Sequence, residues 1–235
     1  PLPKEGLKGS VAVTGGNNGF FGVHANVGGG GERGGWMLDA LRKEGDGIRR
    51  HHRFEIQEYT LRGQWNLHRQ HTLSAKVSYF KENSRVSETG LGAVEYAEDP
   101  YQAPTGRLDR FDHERKTLQL QHQFRINDRL RLTTQAYYVD SDRASFRQIN
   151  EPGSLDGRSV MDRCSGLGVA TEANSPLCGG RWRPRQFTYW GIEPKLEIDH
   201  QLFGIRSQAI VGFRYHREDI DRNQYRGADP RFQSL

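Results

Sequence analysis

Long segments of this chain alternate apolar and polar side chains with a period of two residues. The segment LRLTTQAYYVDSDR (130–143) has apolar side chains on one side, at Leu130, Leu132, Ala136 and Tyr138, and polar ones on the other, at Arg131, Thr133 and Gln135. This period is that of a β-strand whose two faces meet different surroundings. A soluble sheet buries its apolar face in a core, whereas a transmembrane barrel turns that face to lipid and its polar face to the lumen.

Composition argues against a fold built around a dry core. Only 34% of the 235 residues are hydrophobic, and the mean hydropathy is -0.83. The recurring alternation and the 10% aromatic residues exclude a disordered chain. No run approaches the roughly 20 apolar residues of a membrane-spanning helix. The sequence begins at Pro1 without a basic stretch or an apolar leader, so we expect either a leader that was removed or an internal piece of a longer chain.

The net charge of +5 does not indicate a nucleic-acid partner. It arises from 34 basic and 29 acidic residues that are scattered through the alternating segments. A groove that follows a phosphate backbone needs a clustered basic patch. We therefore expect no nucleic-acid binding.

About nine segments are candidates for strands. They are 10–15, 20–28, 35–43, 55–67, 71–80, 117–126, 130–143, 189–199 and 207–216. The segment 35–43 could also form a short amphipathic helix. The residues GNN (16–18) between the first two candidates predict a turn, because Gly and Asn accept positive φ.

The connections between these segments alternate in length. Those at 67–70, 126–128 and 200–204 are short, whereas those at about 81–113, 144–184 and 218–235 are long and polar. Tight turns on one side and long loops on the other are typical of an outer-membrane barrel. Aromatic residues near strand ends, where an interfacial girdle would lie, are Trp65, Tyr79, Tyr138, Trp190 and Tyr215.

The fold class that the sequence predicts is all-β, an antiparallel up-and-down transmembrane β-barrel. The alternative is a large soluble β-sandwich or β-helix with one solvated face.

The sequence lacks the motifs of common catalytic and cofactor sites. The glycine run GGGGERGG (28–35) has no Lys-Ser/Thr and no strand-to-helix context, so it is not a phosphate-binding loop. The histidines lack the spacing of a helical zinc site, and no serine lies in a nucleophile elbow. We expect no enzyme activity, no cofactor and no metal ion.

Both cysteines, Cys164 and Cys178, lie in the segment DRCSGLGVATEANSPLCGG (162–180). Two cysteines that bracket Gly, Ser, Asn and Pro predict a disulfide closing this loop in an oxidising compartment such as the periplasm. Unpaired thiols remain an alternative, and a metal site would have only half of its ligands.

Three segments resemble TonB-dependent outer-membrane receptors of the ferric dicitrate group. They are DRFDHERKTLQLQHQF (109–124), YYVDSDRASFRQ (137–148) and RWRPRQFTYWGIEPKLEI (181–198). The resemblance extends over about residues 7–220 and is most specific around GIEP. It implies that the chain, residues 1–235, is the N-terminal part of a receptor barrel of roughly 22 strands, without the plug domain.

The resemblance also implies a function, a location and a set of ligand-binding arginines. The function is uptake of ferric chelates across the outer membrane, with ferric citrate or a related carboxylate siderophore as the favoured cargo. The partners are the chelate, outer-membrane lipid, and a TonB-type energy-coupling protein that acts through the missing plug. Haem or another siderophore, and a structural or adhesive surface protein without cargo, remain open.

Arginines on barrel walls and loops hold the anionic chelate in that group. Alignment on GIEP matches the family's arginines to Arg185 and Arg143. Counting along the strands from Trp190 and from Leu132 places both on the lumen side. Further candidates are Arg147, Arg181 and Arg183. We expect Arg143 and Arg185 to approach each other at the extracellular mouth, because they flank the same long loop.

Overall fold

A computed structural model describes residues 5–87, 90–104, 106–148, 150–151, 160–161 and 180–227, together with Leu2, Thr171 and Ala173. Its elements are β1 (Gly6–Gly15), β2 (Phe21–Gly31), β3 (Gly34–Asp46), β4 (Arg53–His68), β5 (His71–Arg85), α1 (Ala93–Glu98), β6 (Arg110–Arg125), β7 (Leu130–Arg147), β8 (Asn150–Glu151), β9 (Val160–Met161), β10 (Gly180–Leu202), β11 (Ile205–Gly212), β12 (Tyr215–Arg222) and β13 (Tyr225–Gly227). Cys164 and Cys178 lie outside the described residues.

The strands form an antiparallel meander in which neighbours in sequence are neighbours in space. The order is β1-β2-β3-β4-β5-β6-β7-β10-β11, with β12 and β13 also paired to β10. Short connections at 32–33, 69–70, 126–129 and 203–204 lie at one end of the sheet, which we call the turn end. Connections at 16–20, 47–52, 86–109 and 148–179 lie at the other, which we call the loop end. The short connections predicted near 67–70, 126–128 and 200–204 lie at the turn end, and the long ones predicted within 81–113 and 144–184 lie at the loop end. The connections 16–20 and 47–52 at the loop end are short as well.

Strands β11, β12 and β13 are one continuous partner of β10. Their register does not shift between Lys195↔Gly212 and Gly180↔Gly227. The two interruptions face Pro194 and Pro184, which cannot donate a backbone hydrogen bond to the partner strand. Both prolines still accept one, from Phe213 N at 3.0 Å and from Asn223 N at 3.1 Å.

One face of the sheet carries a continuous apolar row across five strands. Its members are successive Cα partners, Leu61, Val77, Leu118, Tyr138 and Trp190. Each is between 41% and 50% exposed, so no second layer of the described chain covers this surface. We call this side the apolar face and the opposite side the polar face. The buried hydrophobic residues of the described chain are only Ala103, Val139, Phe146 and Trp182.

The described residues do not form the sandwich that the sequence left open. A sandwich needs a second sheet packed on the apolar face. The described residues instead form one 11-stranded sheet and the small pair β8-β9. The helix considered for 35–43 is also wrong, because that segment lies within β3 and pairs with β2 and β4 along its whole length.

Strands continue into the ranges that the sequence assigned to loops. β5 reaches Arg85, β6 begins at Arg110, β7 reaches Arg147 and β10 begins at Gly180. Residues 218–227, assigned to the last loop, belong mostly to β12 and β13. The apolar alternation ends before the strands do, because a backbone ladder continues where both faces are polar.

The turn predicted at GNN is confirmed, with positive φ at Asn18 (56°) and Gly19 (64°). Among the described residues, no helix has both the length and the apolar character needed to cross a membrane.

Candidate functional site

The polar face near the loop end carries a group of arginines on β7, β10 and β12. In a strand every second side chain points to the same face. The register sets the polar-face residues of β10 opposite those of β7, with Arg185 facing Arg143, Arg183 facing Ser145 and Arg181 facing Arg147. Arg222 of β12 faces Arg185 from the other side. The sequence-predicted pair is thus directly adjacent.

Arg143, Arg185 and Arg222 form one row across three neighbouring strands. Like charges directly opposite each other destabilise a strand pair. Within the described part of the chain, none of the three forms an ion pair with a carboxylate. The Arg143 guanidinium instead lies 5.1 Å from the centre of the Phe111 ring, and His113, the next residue along the row, contacts Ser141 Oγ at 3.0 Å. The row therefore has an excess of positive charge.

Arg147 lies in different surroundings from Arg143 and Arg185. It is 8% exposed, donates to the Val86 carbonyl at 2.9 Å, and lies 3.8 Å from Asp109 Oδ2. Asp109 also accepts hydrogen bonds from Ser87 Oγ (2.9 Å) and Gln148 N (2.6 Å). This buried network holds the 86–109 connection against the end of β7.

Arg183 is partly buried and lies between the pair Arg143 and Arg185 and the network around Asp109. Its Nε is buried and has no hydrogen-bond partner in the described part of the chain. Of the five arginines predicted from sequence, Arg143 and Arg185 are therefore open to a ligand, Arg183 is partly open, and Arg147 is engaged with the protein. Arg181 is half-buried and lies opposite Arg147.

Sequence reasoning missed Arg222, Phe111 and the network around Asp109. Arg222 lay in a range assigned to a loop. Counting by two from Tyr215 puts 217, 219 and 221 on the apolar face, which would have left Arg222 on the polar face. Phe111, at the start of β6, also lay in a range assigned to a loop. No sequence signal links Asp109 to Gln148, because they meet only through the fold.

A cavity of about 370 Å³ borders the same strands but opens on the other face. Its lining includes Lys81, Glu114, Asp142, Gln186 and Asp221, all of which have the strand parity of the apolar face. Arg143 and Arg185 also border it, yet their side chains have the opposite parity. This cavity therefore does not include the guanidinium groups of the pair.

Farther from the loop end, the polar face carries a second polar cluster. Tyr137 Oη contacts His216 Nδ1 at 2.8 Å and accepts from Arg214 Nη2 at 3.1 Å. Arg214 also pairs with Glu193 at 3.0 Å. Arg214 is therefore neutralised, unlike Arg143, Arg185 and Arg222 nearer the loop end. Among the described residues, no three His, Cys, Asp or Glu side chains are grouped closely enough to hold a metal ion.

The fold is similar to solved structures of transporters and receptors. The ferric citrate transporter FecA in its unliganded form matches with a TM-score of 0.72 and 20% identity over 97% of this chain and 31% of that chain. The ferric preacinetobactin receptor BauA from Acinetobacter baumannii matches with 0.71 and 9% identity, over 95% of this chain and 32% of that one. The ferric-catecholate import receptor Fiu from E. coli K12, in its open form, matches with 0.73 and 11% identity, over 94% and 35%.

This likeness confirms the predicted fold class. The chain is an all-β, antiparallel up-and-down sheet that corresponds to part of a β-barrel. It spans about a third of the length of the structures it matches. Those structures are a transporter and two receptors rather than enzymes. No protein-family model matches the chain, and no curated protein sequence does either.

Proposed function

We propose that this chain is part of the barrel wall of an outer-membrane receptor for the TonB-dependent uptake of ferric chelates. The apolar face would meet lipid and the polar face would line the lumen. In the complete receptor, a TonB-type energy-coupling protein would act through a plug domain. Ferric citrate or a related carboxylate siderophore is the favoured cargo.

The row of Arg143, Arg185 and Arg222 carries this proposal. A guanidinium group binds a pair of carboxylate oxygens with two parallel hydrogen bonds. Two or three such groups on adjacent strands match a chelate that presents several carboxylates. Their mutual repulsion is relieved when an anion lies between them, so the row stabilises the bound state more than the empty one.

The candidate residues differ in role. Arg143 and Arg185 bind the cargo directly, and Arg183 contributes from the next row. Arg147 positions the 86–109 connection at the mouth through Asp109 instead of contacting cargo.

The test is a titration of ferric citrate into the purified full-length receptor. Each of Arg143→Ala and Arg185→Ala should weaken binding by about 1.5 to 3 kcal/mol, the range for hydrogen bonds to charged groups. Lys at either position should restore binding only in part, because it lacks the planar fork. Affinity should also fall as salt rises, since the pair is partly exposed.

Arg206→Ala is the matched control. Arg206 lies on the polar face at the turn end, opposite Gln201, and is exposed. Its removal should leave the affinity unchanged. An Arg143→Ala/Arg185→Ala receptor that is folded and binds ferric citrate as tightly as the wild type would contradict the assignment.

A further inference from the structure

A second pair of opposed arginines lies on the other face of the sheet. Arg53 begins β4, Arg85 ends β5, and the two are Cα partners. Both are exposed. They have the strand parity of Tyr59 and Tyr79, so they belong to the apolar face beyond its apolar row. In the part of the chain that the structure describes, neither forms an ion pair with a carboxylate.

An arginine of the neighbouring strand β3, on the same face, is neutralised. Arg42 of β3 contacts Glu44 Oε2 at 2.8 Å and Glu55 Oε1 at 3.2 Å. Glu44 and Glu55 are themselves opposed in the register, one row closer to the turn end than Arg53. The next row sets Asp46 opposite Arg53, which in turn lies opposite Arg85. Two arginines against one carboxylate leave this row with a net positive charge.

The turn between β3 and β4 adds further positive charge. A cavity of about 420 Å³ is lined by Arg53 and Arg85 together with Arg49, Arg50, His51 and His52, and Asp46 is the only acidic residue in its lining. Arg50 is held by Asp99 at 2.7 Å. The pKa of His52 is lowered, first by burial and then by the positive charge of Arg49 and His51. Burial is thus the larger cause, and the neighbouring cations lower the pKa of His52 further.

The position of the pair limits what can reach it. Tyr59 and Tyr79, whose rings stack 6.5 Å apart, mark the loop-end limit of the apolar band on these strands. Arg53 and Arg85 lie about 20 Å farther along the strands, or about 15 Å along the axis of a barrel with ordinary strand tilt. In an outer-membrane barrel that height, on the outside, is the layer of glycolipid headgroup sugars. Cargo in the lumen lies on the other side of the wall.

We propose that Arg53 and Arg85 bind phosphate groups carried by the headgroup sugars of an outer-leaflet glycolipid. The inference rests on the proposed membrane orientation. Two guanidinium forks on adjacent strands bind the oxygens of a phosphate bidentately, and the cavity beside them is of the size that holds a sugar-sized ligand. Phosphate binding would neutralise the row that the protein leaves positive.

The test measures binding of lipopolysaccharide to the purified full-length receptor in detergent. Three probes are used: phosphorylated lipopolysaccharide, the same material after chemical dephosphorylation, and inorganic phosphate alone. Arg53→Ala/Arg85→Ala should bind the phosphorylated probe about tenfold or more weakly than the wild type. Arg53→Lys/Arg85→Lys, which keeps the charge, should lose less.

The control is Arg33→Ala/Arg206→Ala, which removes the same charge from exposed positions at the turn end and should bind like the wild type. Equal affinity of the wild type and the Arg53→Ala/Arg85→Ala variant for the phosphorylated probe would overturn the proposal. So would equal wild-type affinity for the dephosphorylated probe. If inorganic phosphate binds as tightly as the glycolipid, the proposal that the phosphate belongs to a glycolipid is overturned.

Ferric citrate titration of the same variants separates this inference from the proposed function. Arg53→Ala/Arg85→Ala should keep the affinity for ferric citrate, because the pair lies outside the lumen. Loss of chelate binding in this folded variant would count against the separation of the two faces and overturn the proposal.

Discussion

Arginine side chains on this sheet lie in three kinds of surroundings. Arg42 lies between two carboxylates, Arg147 is buried beside Asp109, and Arg143 faces another arginine. An exposed ion pair contributes little to stability, whereas breaking a buried one leaves an uncompensated charge. An opposed pair of arginines carries a cost that a bound anion removes. The group that lies next to each arginine therefore decides what that arginine does in the protein.

The buried network at Asp109 should control the order of the 86–109 connection. Asp109→Ala removes the acceptor that contacts Arg147, Ser87 and Gln148. We expect a local destabilisation of about 3 kcal/mol, seen as faster hydrogen exchange and proteolysis in this segment. Asp128→Ala, in the exposed turn before β7, is the control. Unchanged protection in Asp109→Ala would show that the network does not hold the connection.

His52 should make the same region sensitive to pH. Its Nε2 lies 3.4 Å from the Ser87 amide, which donates to it only when the ring is neutral. Because the pKa of His52 is lowered in the folded state, its contribution is fully present above the unfolded value of about 6.5 and is lost as pH falls toward the folded value. Hydrogen exchange at Ser87 should therefore accelerate on acidification.

His52→Gln should remove most of this pH dependence, while His68→Gln, at the turn end, should keep it. A Ser87 exchange profile in the wild type that is flat between pH 7 and pH 5, after correction for intrinsic exchange, would exclude the mechanism.

At the scale of elements, alternation predicted the middle of each strand better than its ends. Leu118, Leu132 and Trp190 have the predicted parity, because apolar side chains on every second residue of a strand all lie on one face. The ends of β5, β7 and β10 are polar on both faces, so the same pattern cannot mark them. Residues 35–43 were ambiguous because Leu38 and Leu41 also fit a helical spacing, and only pairing with β2 and β4 selects the strand.

The same limit applied to the candidate site. Parity and the resemblance were enough to place Arg143 and Arg185 on one face. They could not distinguish Arg147, whose burial depends on a carboxylate 38 positions earlier in the chain, and they could not include Arg222.

Close packing at Gly191 should matter to the β7-β10 pairing. A Cβ at Gly191 would lie 2.5 Å from Tyr137 Oη and 2.7 Å from Tyr215 O. Gly191→Ala should therefore displace Tyr137, break its contact with His216 and cost about 1 to 3 kcal/mol in unfolding free energy. Gly212→Ala is the control, since its Cβ would lie no closer than 3.5 Å to any atom. Equal denaturation midpoints for the two variants would contradict this account.

We also expect Cys164 and Cys178 to be bonded, which would stabilise the folded chain by about 3 kcal/mol on a simple chain-entropy model. Mass spectrometry of non-reduced protein exported to the periplasm should find the linked peptides. Two free thiols in that material would exclude the disulfide.

At the scale of the whole molecule, the two faces of one sheet differ in chemistry. The apolar row is exposed although it is built from residues that ordinarily lie in a core, and a surface of this extent marks contact with lipid or protein. The opposite face presents charged and amide side chains and, near the loop end, the arginine row. Under the proposed function, cargo selectivity and membrane insertion would depend on opposite sides of the same strands.

The most direct test of this account is accessibility scanning of the full-length protein in lipid. Single labels at Leu118, Leu132, Ala136 and Val211 should be quenched by a lipid-soluble reagent, and labels at Gln119, Gln135 and Arg214 by a water-soluble one. The positions alternate along the same strands, so tilt and depth affect both sets alike. The account predicts a reversal of accessibility between Leu118 and Gln119 and between Gln135 and Ala136. Both sets equally accessible to the water-soluble reagent would contradict it.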